Sequence, residues 1–307
     1  MNKIKIVRLA TLILLLSAGV TFAFEGSGGK AGAFLRIPVG ARPAGLGNAF
    51  VSVADDANAL YFNPGGIYQL KGKTFSGSYS LMSMDRSHYQ GGFVWNDSKF
   101  GAIGLMYIGY SVGKIDGRDS NGNPTEEFSN NETALSLTYG TRLLPILGIG
   151  GSVKYLNHTL LDHKATGLGY DVGAHIKLEN EDSALEQICF GFSMSNMGAT
   201  YEWDTDSGLL DEIPSTVRYG ASMRFNLGKT ALLLAGGGTS TADEESKYNA
   251  GAEAWIQEFF GLRAGLDGDD FNFGASLRFK QFQFDYAFCP DVLGEGSTSK
   301  LALQAFL

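Results

Sequence analysis

From about residue 74 to the end of the chain, apolar and polar residues alternate with a period of two. The stretch 282–288 shows this alternation, with Phe282, Phe284, Tyr286 and Phe288 on one face and Gln283, Asp285 and Ala287 on the other. Successive side chains of a β-strand point to opposite faces, whereas a helix repeats every 3.6 residues or so. The alternation therefore predicts a series of β-strands, each with one apolar face.

The predicted strands are long. They cover 74–84, 88–96, 99–111, 131–144, 147–160, 166–178, 187–198, 215–226, 229–240, 247–256, 258–267, 269–279, 281–289 and 299–307. A soluble sandwich shows the same alternation with its apolar face inward, but its strands usually have about five or six residues. A membrane barrel alternates outward-facing apolar residues over segments of about ten, and about fourteen strands is an even number, as closure requires.

The connections give an independent argument for a barrel. Long polar connections at 112–130, 199–214, 241–246 and 290–298 alternate along the chain with short turns such as Pro145-Ile146 and Leu227-Gly228. Bacterial outer-membrane barrels have this asymmetry, with tight periplasmic turns and longer external loops. We therefore predict a 14-stranded antiparallel outer-membrane β-barrel whose outer face contacts outer-membrane lipid.

The chain begins with an export signal. Lys3, Lys5 and Arg8 precede an apolar run, and Thr21-Phe22-Ala23 provides a cleavage site. The predicted organisation is a signal peptide at 1–23, a leader and hatch at 24–73, and a transmembrane barrel at 74–307. The formal net charge of −8 disfavours nucleic acid as a partner, because nucleic-acid binding relies on basic side chains.

The stretch that precedes the first strand has a different character. After a flexible leader at 24–39, the sequence GARPAGLGNAFVSVADDANALYFNPGG has two short helical patches, Pro43 to Ala49 and Asp56 to Tyr61. A barrel of about fourteen strands is wider than side chains alone fill, so we expect this segment to enter the barrel as a hatch. A periplasmic tail is the alternative. The hatch residues that we single out are Asp55, Asp56, Asn63, Pro64 and Gly65.

Several charged side chains share the strand face that carries the glycines, which places them in the lumen. They are Arg142, Asp171, His175, Arg218, Arg224, Arg263, Arg278 and Asp285. On the lipid face an Arg at the midplane would cost about 2–4 kcal/mol. These charges either line the lumen structurally or form a path for a polar solute. No catalytic, metal-binding or cofactor motif is present in the sequence, so we predict neither an enzyme nor a cofactor.

The N-terminal stretch carries a family resemblance. Gly40-Ala41-Arg42, Ala54-Asp55-Asp56-Ala57 and Asn63-Pro64 resemble the N-terminal signature of the PorV/PorQ family, within the wider FadL-like group of outer-membrane barrels. Gly65-Gly66 stands where that family usually has Ala-Gly, and Leu46 where it has Met. The resemblance extends from about residue 30 to the end.

The resemblance implies a barrel with an N-terminal hatch and leaves two functions open. A PorV/PorQ-type protein would assist type IX-like secretion or surface assembly and would contact secretion-system or surface proteins. A FadL-like protein would be a passive transporter of small, partly hydrophobic solutes, with a lipophilic ligand or detergent in its lumen. The second function predicts an opening in the wall, for example near Gly236-Gly237-Gly238.

Overall fold

The computed structural model describes residues 29–97, 99–180, 184–205, 210–290 and 296–307. The predicted signal peptide at 1–23 lies outside these residues. Among the residues that are described, no helix is long and apolar enough to cross a membrane.

The strands form one closed antiparallel sheet. They are β1 (Gly72–Leu81), β2 (Arg86–Asp97), β3 (Gly101–Ile115), β4 (Phe128–Leu144), β5 (Leu147–Leu160), β6 (His163–Glu179), β7 (Leu185–Met197), β8 (Thr200–Trp203), β9 (Leu210–Glu212), β10 (Thr216–Asn226), β11 (Thr230–Thr241), β12 (Lys247–Ile256), β13 (Phe260–Asp267), β14 (Asp270–Phe279), β15 (Phe282–Pro290) and β16 (Ser297–Phe306). All but the short β8 and β9 are wall strands, and β1 pairs with β16. The result is a closed 14-stranded antiparallel barrel, which confirms the predicted fold class.

The apolar face of the wall is exposed and the polar face is buried, which is the reverse of a soluble sheet. On β15, Phe284 is 56% and Tyr286 42% exposed, whereas the intervening Asp285 is 3% exposed. The exposed apolar face needs an apolar surrounding, and lipid supplies it. The polar residues and most glycines point inward, against the N-terminal segment.

We name the two ends of the barrel by their connections. The loop end carries the longest connections together with the short connections β1–β2, β5–β6 and β13–β14, and the turn end carries the remaining connections, the beginning of β1 and the end of β16. By analogy with bacterial outer-membrane barrels, the turn end is expected to be periplasmic.

The predicted loop 199–214 is in part a continuation of the wall. The β7–β10 ladder stops at the pair Ser195 and Thr216, because Asn196 and Gly198 take positive φ angles of 60° and 61°. Beyond this bulge β8 pairs with β6 and β9 pairs with β8. The side chain of Tyr201 on β8 is fully buried in the lumen. Strands of four and three residues are too short for an alternation to reveal.

The N-terminal segment, residues 29–71, lies in the lumen. Its helices are Ala33–Arg36, Ala41–Gly45, Ala59–Phe62 and Pro64–Gln69, the first and last being 3-10 helices. The predicted helical patches were therefore misplaced by a few residues, and a separate helix, Pro64–Gln69, follows the extended residue Asn63. The expectation of a flexible leader at 24–39 is wrong for its described part, because Phe34 and Leu35 are 0% and 2% exposed.

Inward glycines allow the N-terminal segment to touch the wall through its backbone. A Cβ on Gly173 of β6 would lie 2.9 Å from the nitrogen of Gly65, and one on Gly150 of β5 would lie 2.6 Å from the carbonyl carbon of Pro64. Neither distance leaves room for a side chain. Other inward glycines with the same kind of contact are Gly140, Gly148, Gly191, Gly251 and Gly265. This packing explains why these inward positions of the wall are glycine.

Candidate functional site

A buried arginine joins the N-terminal segment to the wall. Both Arg42 Nε and Arg42 Nη2 donate to the Glu253 carboxylate on β12, each at 2.9 Å. The third nitrogen, Nη1, donates to Asp55 Oδ1 at 2.5 Å and to Asp56 Oδ2 at 2.9 Å. Bidentate guanidinium–carboxylate pairs are among the strongest hydrogen-bonded contacts in proteins. Arg42 thus organises two carboxylates of its own segment and one of the barrel.

The wall extends this cluster. Glu253 also accepts from Arg263 Nε at 2.5 Å, and Arg263 forms an ion pair with Asp285 at 3.4 Å. On the other side, Arg224 Nη2 donates to Asp55 at 2.5 Å. The arginine cluster, as we call it, comprises Arg42, Asp55, Asp56, Arg224, Glu253, Arg263 and Asp285. Its carboxylates are occupied by guanidinium groups, and the described residues contain no group of three or more His, Cys, Asp or Glu placed to hold a metal ion.

Arg278 lies beside the arginine cluster. Its guanidinium carbon is 4.5 Å from the centre of the Trp255 ring, a cation–π geometry. It also donates to Gln283, which in turn donates to Asp285. Of the residues singled out from the sequence, Asp55, Asp56, Arg224, Arg263, Arg278 and Asp285 therefore come together at this place.

The predicted residues Asn63, Pro64 and Gly65 lie on the opposite side of the segment, against β5 and β6. Asn63 Nδ2 donates to the carbonyls of Val51 (2.8 Å) and Ala174 (3.0 Å), and Asn63 Oδ1 accepts from Gly65 N. His175 is fully buried, and its Nε2 is 2.8 Å from the carbonyl oxygen of Ser52. These side chains hold the backbone of the N-terminal segment against that of β6.

The remaining predicted charges lie apart from both places. Asp171 pairs with Lys154 at 2.9 Å and accepts from the Asn196 nitrogen beside the bulge in β7. Arg218 donates to Tyr61 Oη at 3.0 Å, and its guanidinium carbon lies 5.7 Å from the Phe62 ring centre. Arg142 lies over the Tyr68 ring near the turn end. The lumen charges thus form separate contacts and not a single site.

Two cavities border the same strands, β10 to β12, at opposite ends of the lumen. The loop-end cavity has a volume of about 330 Å³ and is lined by Asn48, Phe62, Arg218 and Asn249, among others. The turn-end cavity has a volume of about 660 Å³ and is lined by Arg42, Asp55, Arg224, Trp255 and Arg278, among others. The arginine cluster therefore forms part of the wall of the turn-end cavity.

A short barrier separates the two cavities. On β12 only Gly251 and Glu253 face inward between Asn249 of the loop-end cavity and Trp255 of the turn-end cavity. From Asn249 to Trp255, six residues along the strand, the distance is about 20 Å. The Leu46 backbone fills the barrier at Gly251, and the Arg42–Glu253 pair fills it on the turn-end side of Gly251.

Phe50 is the side chain that bridges this barrier. It is fully buried, its ring centre lies 5.4 Å from that of Phe62, and the Arg42 guanidinium carbon is 5.3 Å from the Phe50 centre. Phe62 lines one cavity and Arg42 lines the other. Phe50 therefore lies between them.

Two important residues, Arg42 and Phe50, were not among the sites predicted from the sequence. Arg42 was noticed only as part of a motif, although a lone arginine in a run of small residues that enters a barrel signals a buried ion pair. Glu253 has the inward parity of the other lumen charges and was placed in the lumen on that ground, but its pairing with Arg42 was not predicted. Phe50 carries no distinguishing sequence signal.

The expected opening near Gly236-Gly237-Gly238 is not present. Ala221 pairs with Gly236, Gly220 with Gly237 and Tyr219 with Gly238 in an unbroken ladder. The Tyr219 hydroxyl would lie 2.7 Å from a Cβ on Gly238, so its ring covers that position. The missing side chains produce a cleft of about 420 Å³ in the lipid face without separating the strands.

Comparisons with known proteins agree with this architecture. No family model and no curated sequence matches the chain. Among solved structures, the "CymD monoaromatic hydrocarbon channel" is 12% identical, with a TM-score of 0.57 over 88% of this chain and 98% of that one. The P. putida toluene transporter TodX is 14% identical, with a TM-score of 0.51 over 81% and 92%. A Pseudomonas aeruginosa FadL homologue is 11% identical, with a TM-score of 0.50 over 86% and 97%.

This is the fold of FadL-like outer-membrane barrels. At such low identities the likeness concerns the fold, and it supports the FadL-like part of the expected resemblance. The PorV/PorQ part finds no support in these comparisons and remains a prediction.

Proposed function

We propose that this chain is an outer-membrane channel for passive diffusion of small, partly hydrophobic solutes, with the N-terminal segment as its hatch. The observation that carries the proposal is the pair of cavities at opposite ends of β10–β12, separated by a barrier of two inward positions on β12. The solved structures with this fold that are named above include a monoaromatic hydrocarbon channel and a toluene transporter. The predicted secretion role has no comparable observation in its favour.

The barrier is suited to gating because its parts differ in strength. The Arg42–Glu253 pair is buried and bidentate, so breaking it would leave unpaired charges and cost about 3–5 kcal/mol. Phe50, in contrast, is held by ring contacts with Phe62 and Arg42. A rotation of its side chain replaces these contacts with others at little cost. A solute would pass on the Phe50 side while the ion pair keeps the segment in place.

The test is uptake by vesicles whose outer leaflet is lipopolysaccharide, which slows diffusion of hydrophobic solutes through the lipid. The intact protein and a variant without residues 24–70 are compared for uptake of benzyl alcohol and for ionic conductance. We expect the intact protein to accelerate uptake above protein-free vesicles while passing little current. An intact barrel that passes neither, and leaks only after truncation, would contradict transport and direct attention to secretion or surface partners.

A further inference from the structure

The loop-end cavity combines an apolar wall with buried polar side chains. Ile37, Pro38 and Phe62 contribute the apolar wall from the N-terminal segment, and the polar groups come from the segment and from β10 to β13. A pocket of this kind binds the body of a solute by burial of apolar surface and orients it by a few polar contacts. Which polar contacts are free decides which solute fits.

Asn48 presents a free hydrogen-bond acceptor. Its Nδ2 donates to Asp267 Oδ2 at 2.7 Å. A carboxylate only accepts, so the amide cannot be turned round. Its Oδ1 is buried and has no hydrogen-bond partner in the described part of the chain. Its backbone has φ 60°, which fixes where the side chain begins.

Arg36 presents a free donor. Its Nε forms an ion pair with Glu244 Oε1 at 3.0 Å, which holds the guanidinium at the cavity. Its Nη1 is buried and has no hydrogen-bond partner among the residues that the structure describes. A guanidinium nitrogen donates and never accepts.

The buried polar side chains around them are already satisfied by one another. Thr216 and Thr241 share a hydrogen bond of 3.0 Å, Thr239 donates to Asn249, and Asn249 donates to Asp267 at 3.0 Å. Arg218 is committed to Tyr61 and Ser195. Among the buried polar atoms that the structure describes at this cavity, one donor and one acceptor are therefore left unpaired.

A hydroxyl group supplies both, since it donates through its hydrogen and accepts through its lone pairs. The lining has three carboxylates, Asp267, Glu244 and Glu245, and three cationic side chains, Arg36, Arg218 and Lys247, so a charged solute would find no net opposite charge to offset its desolvation. A hydrocarbon would leave both polar atoms unpaired. We infer that the loop-end cavity binds a small uncharged solute with a hydroxyl group on an apolar body, such as a phenol. The inference rests on the proposed function only for the solute's subsequent passage.

The experiment compares two probes of nearly equal size, 4-fluorophenol and 4-fluorotoluene, whose binding to the purified full-length protein is followed by fluorine NMR. We expect 4-fluorophenol to bind on the order of tenfold more tightly, the typical effect of a hydrogen bond with a charged partner. Asn48→Gly tolerates the positive φ and removes the acceptor. Arg36→Lys keeps a charge beside Glu244 and removes the forked donor. Each should lower the preference, because it weakens binding of 4-fluorophenol more than binding of 4-fluorotoluene.

Asn272→Ala is the matched control. Asn272 is a buried lumen asparagine with an unpaired Oδ1 whose Nδ2 donates to Ala44, away from the cavity, so the preference should survive its loss. Equal binding of both probes by the intact protein, or a preference that both variants retain, would overturn the inference. A hydroxyl preference without vesicle uptake would keep this site and remove the transport function. Vesicle uptake without a hydroxyl preference would support the transport function and overturn this site.

Discussion

The N-terminal segment meets opposite sides of the barrel in two different ways. Toward β4–β6 its helix Pro64–Gln69 lies backbone to backbone on inward glycines, with the Asn63 amide tying the two together. Toward β10–β13 backbone contacts of Leu46 and Gly47 at Gly251 and Gly265 are joined by the arginine cluster, and both cavities border that side. The difference is that the second side combines its backbone contacts with side chains beside open space, where a side chain can change rotamer. We therefore regard the first side as the fixed side and the second as the permeable side.

The largest expected effect is on the permeable side, at Glu253. Glu253→Ala leaves Arg42 and Arg263 buried without their shared carboxylate, and breaking a buried ion pair typically costs about 3–5 kcal/mol. Urea unfolding of the protein in lipid vesicles measures the free energy of unfolding. The exposed Glu126→Ala serves as control. A loss below about 1 kcal/mol, the value typical of an exposed pair, would show that the cluster does not hold the segment.

On the fixed side, Gly150→Val tests the backbone contact. A side chain at Gly150 overlaps the Pro64 carbonyl group, and overpacking of this kind costs about 1–3 kcal/mol. Gly91→Val is the matched control, because a Cβ at Gly91 has nothing within 4 Å. The same unfolding assay should separate the two variants, and equal stability would mean that the segment readily moves away from β5.

These two positions also show what the sequence reveals and what it hides. The alternation specifies the wall strands because each inward or outward position repeats over ten residues or more. The lumen contacts are pairings between residues far apart in the chain, and no local pattern encodes them. Asp55 and Asp56 were predicted as hatch residues, and Arg224 and Asp285 as inward charges, but their meeting in the arginine cluster depends on how the segment enters the barrel. The wall opening expected from Gly236–Gly238 was wrong because the hydrogen-bonded ladder between β10 and β11 continues through those glycines.

A smaller effect is expected from Asn63→Ala on the fixed side. The variant loses the two hydrogen bonds from Nδ2 to Val51 and Ala174 and the one that Oδ1 accepts from Gly65 N, which corresponds to about 1–3 kcal/mol. If Asn63 helps to lock the hatch, single-channel conductance should also rise. Unchanged conductance would count against that role, whatever the stability.

The smallest effect is expected at the loop end, where Lys30 and Asp243 form an exposed ion pair of 2.9 Å. Lys30→Ala should change the free energy of unfolding by less than about 1 kcal/mol, and less still at high salt. A larger, salt-independent loss would place an anchor of the segment at the loop end, where neither the fixed nor the permeable side requires one.

The central claim is that solutes pass on the permeable side, at Phe50, and not on the fixed side. Vesicle uptake of benzyl alcohol by Phe50→Ala and by Ile67→Ala tests it most directly, because both residues are fully buried in the segment and Ile67 lies against Gly140 on the fixed side. We predict that Phe50→Ala removes the volume of one aromatic side chain from the path, joins the two cavities and raises uptake several-fold. Ile67→Ala should leave uptake unchanged. Equal uptake by both variants, or a larger increase for Ile67→Ala, would contradict a route along β10–β12.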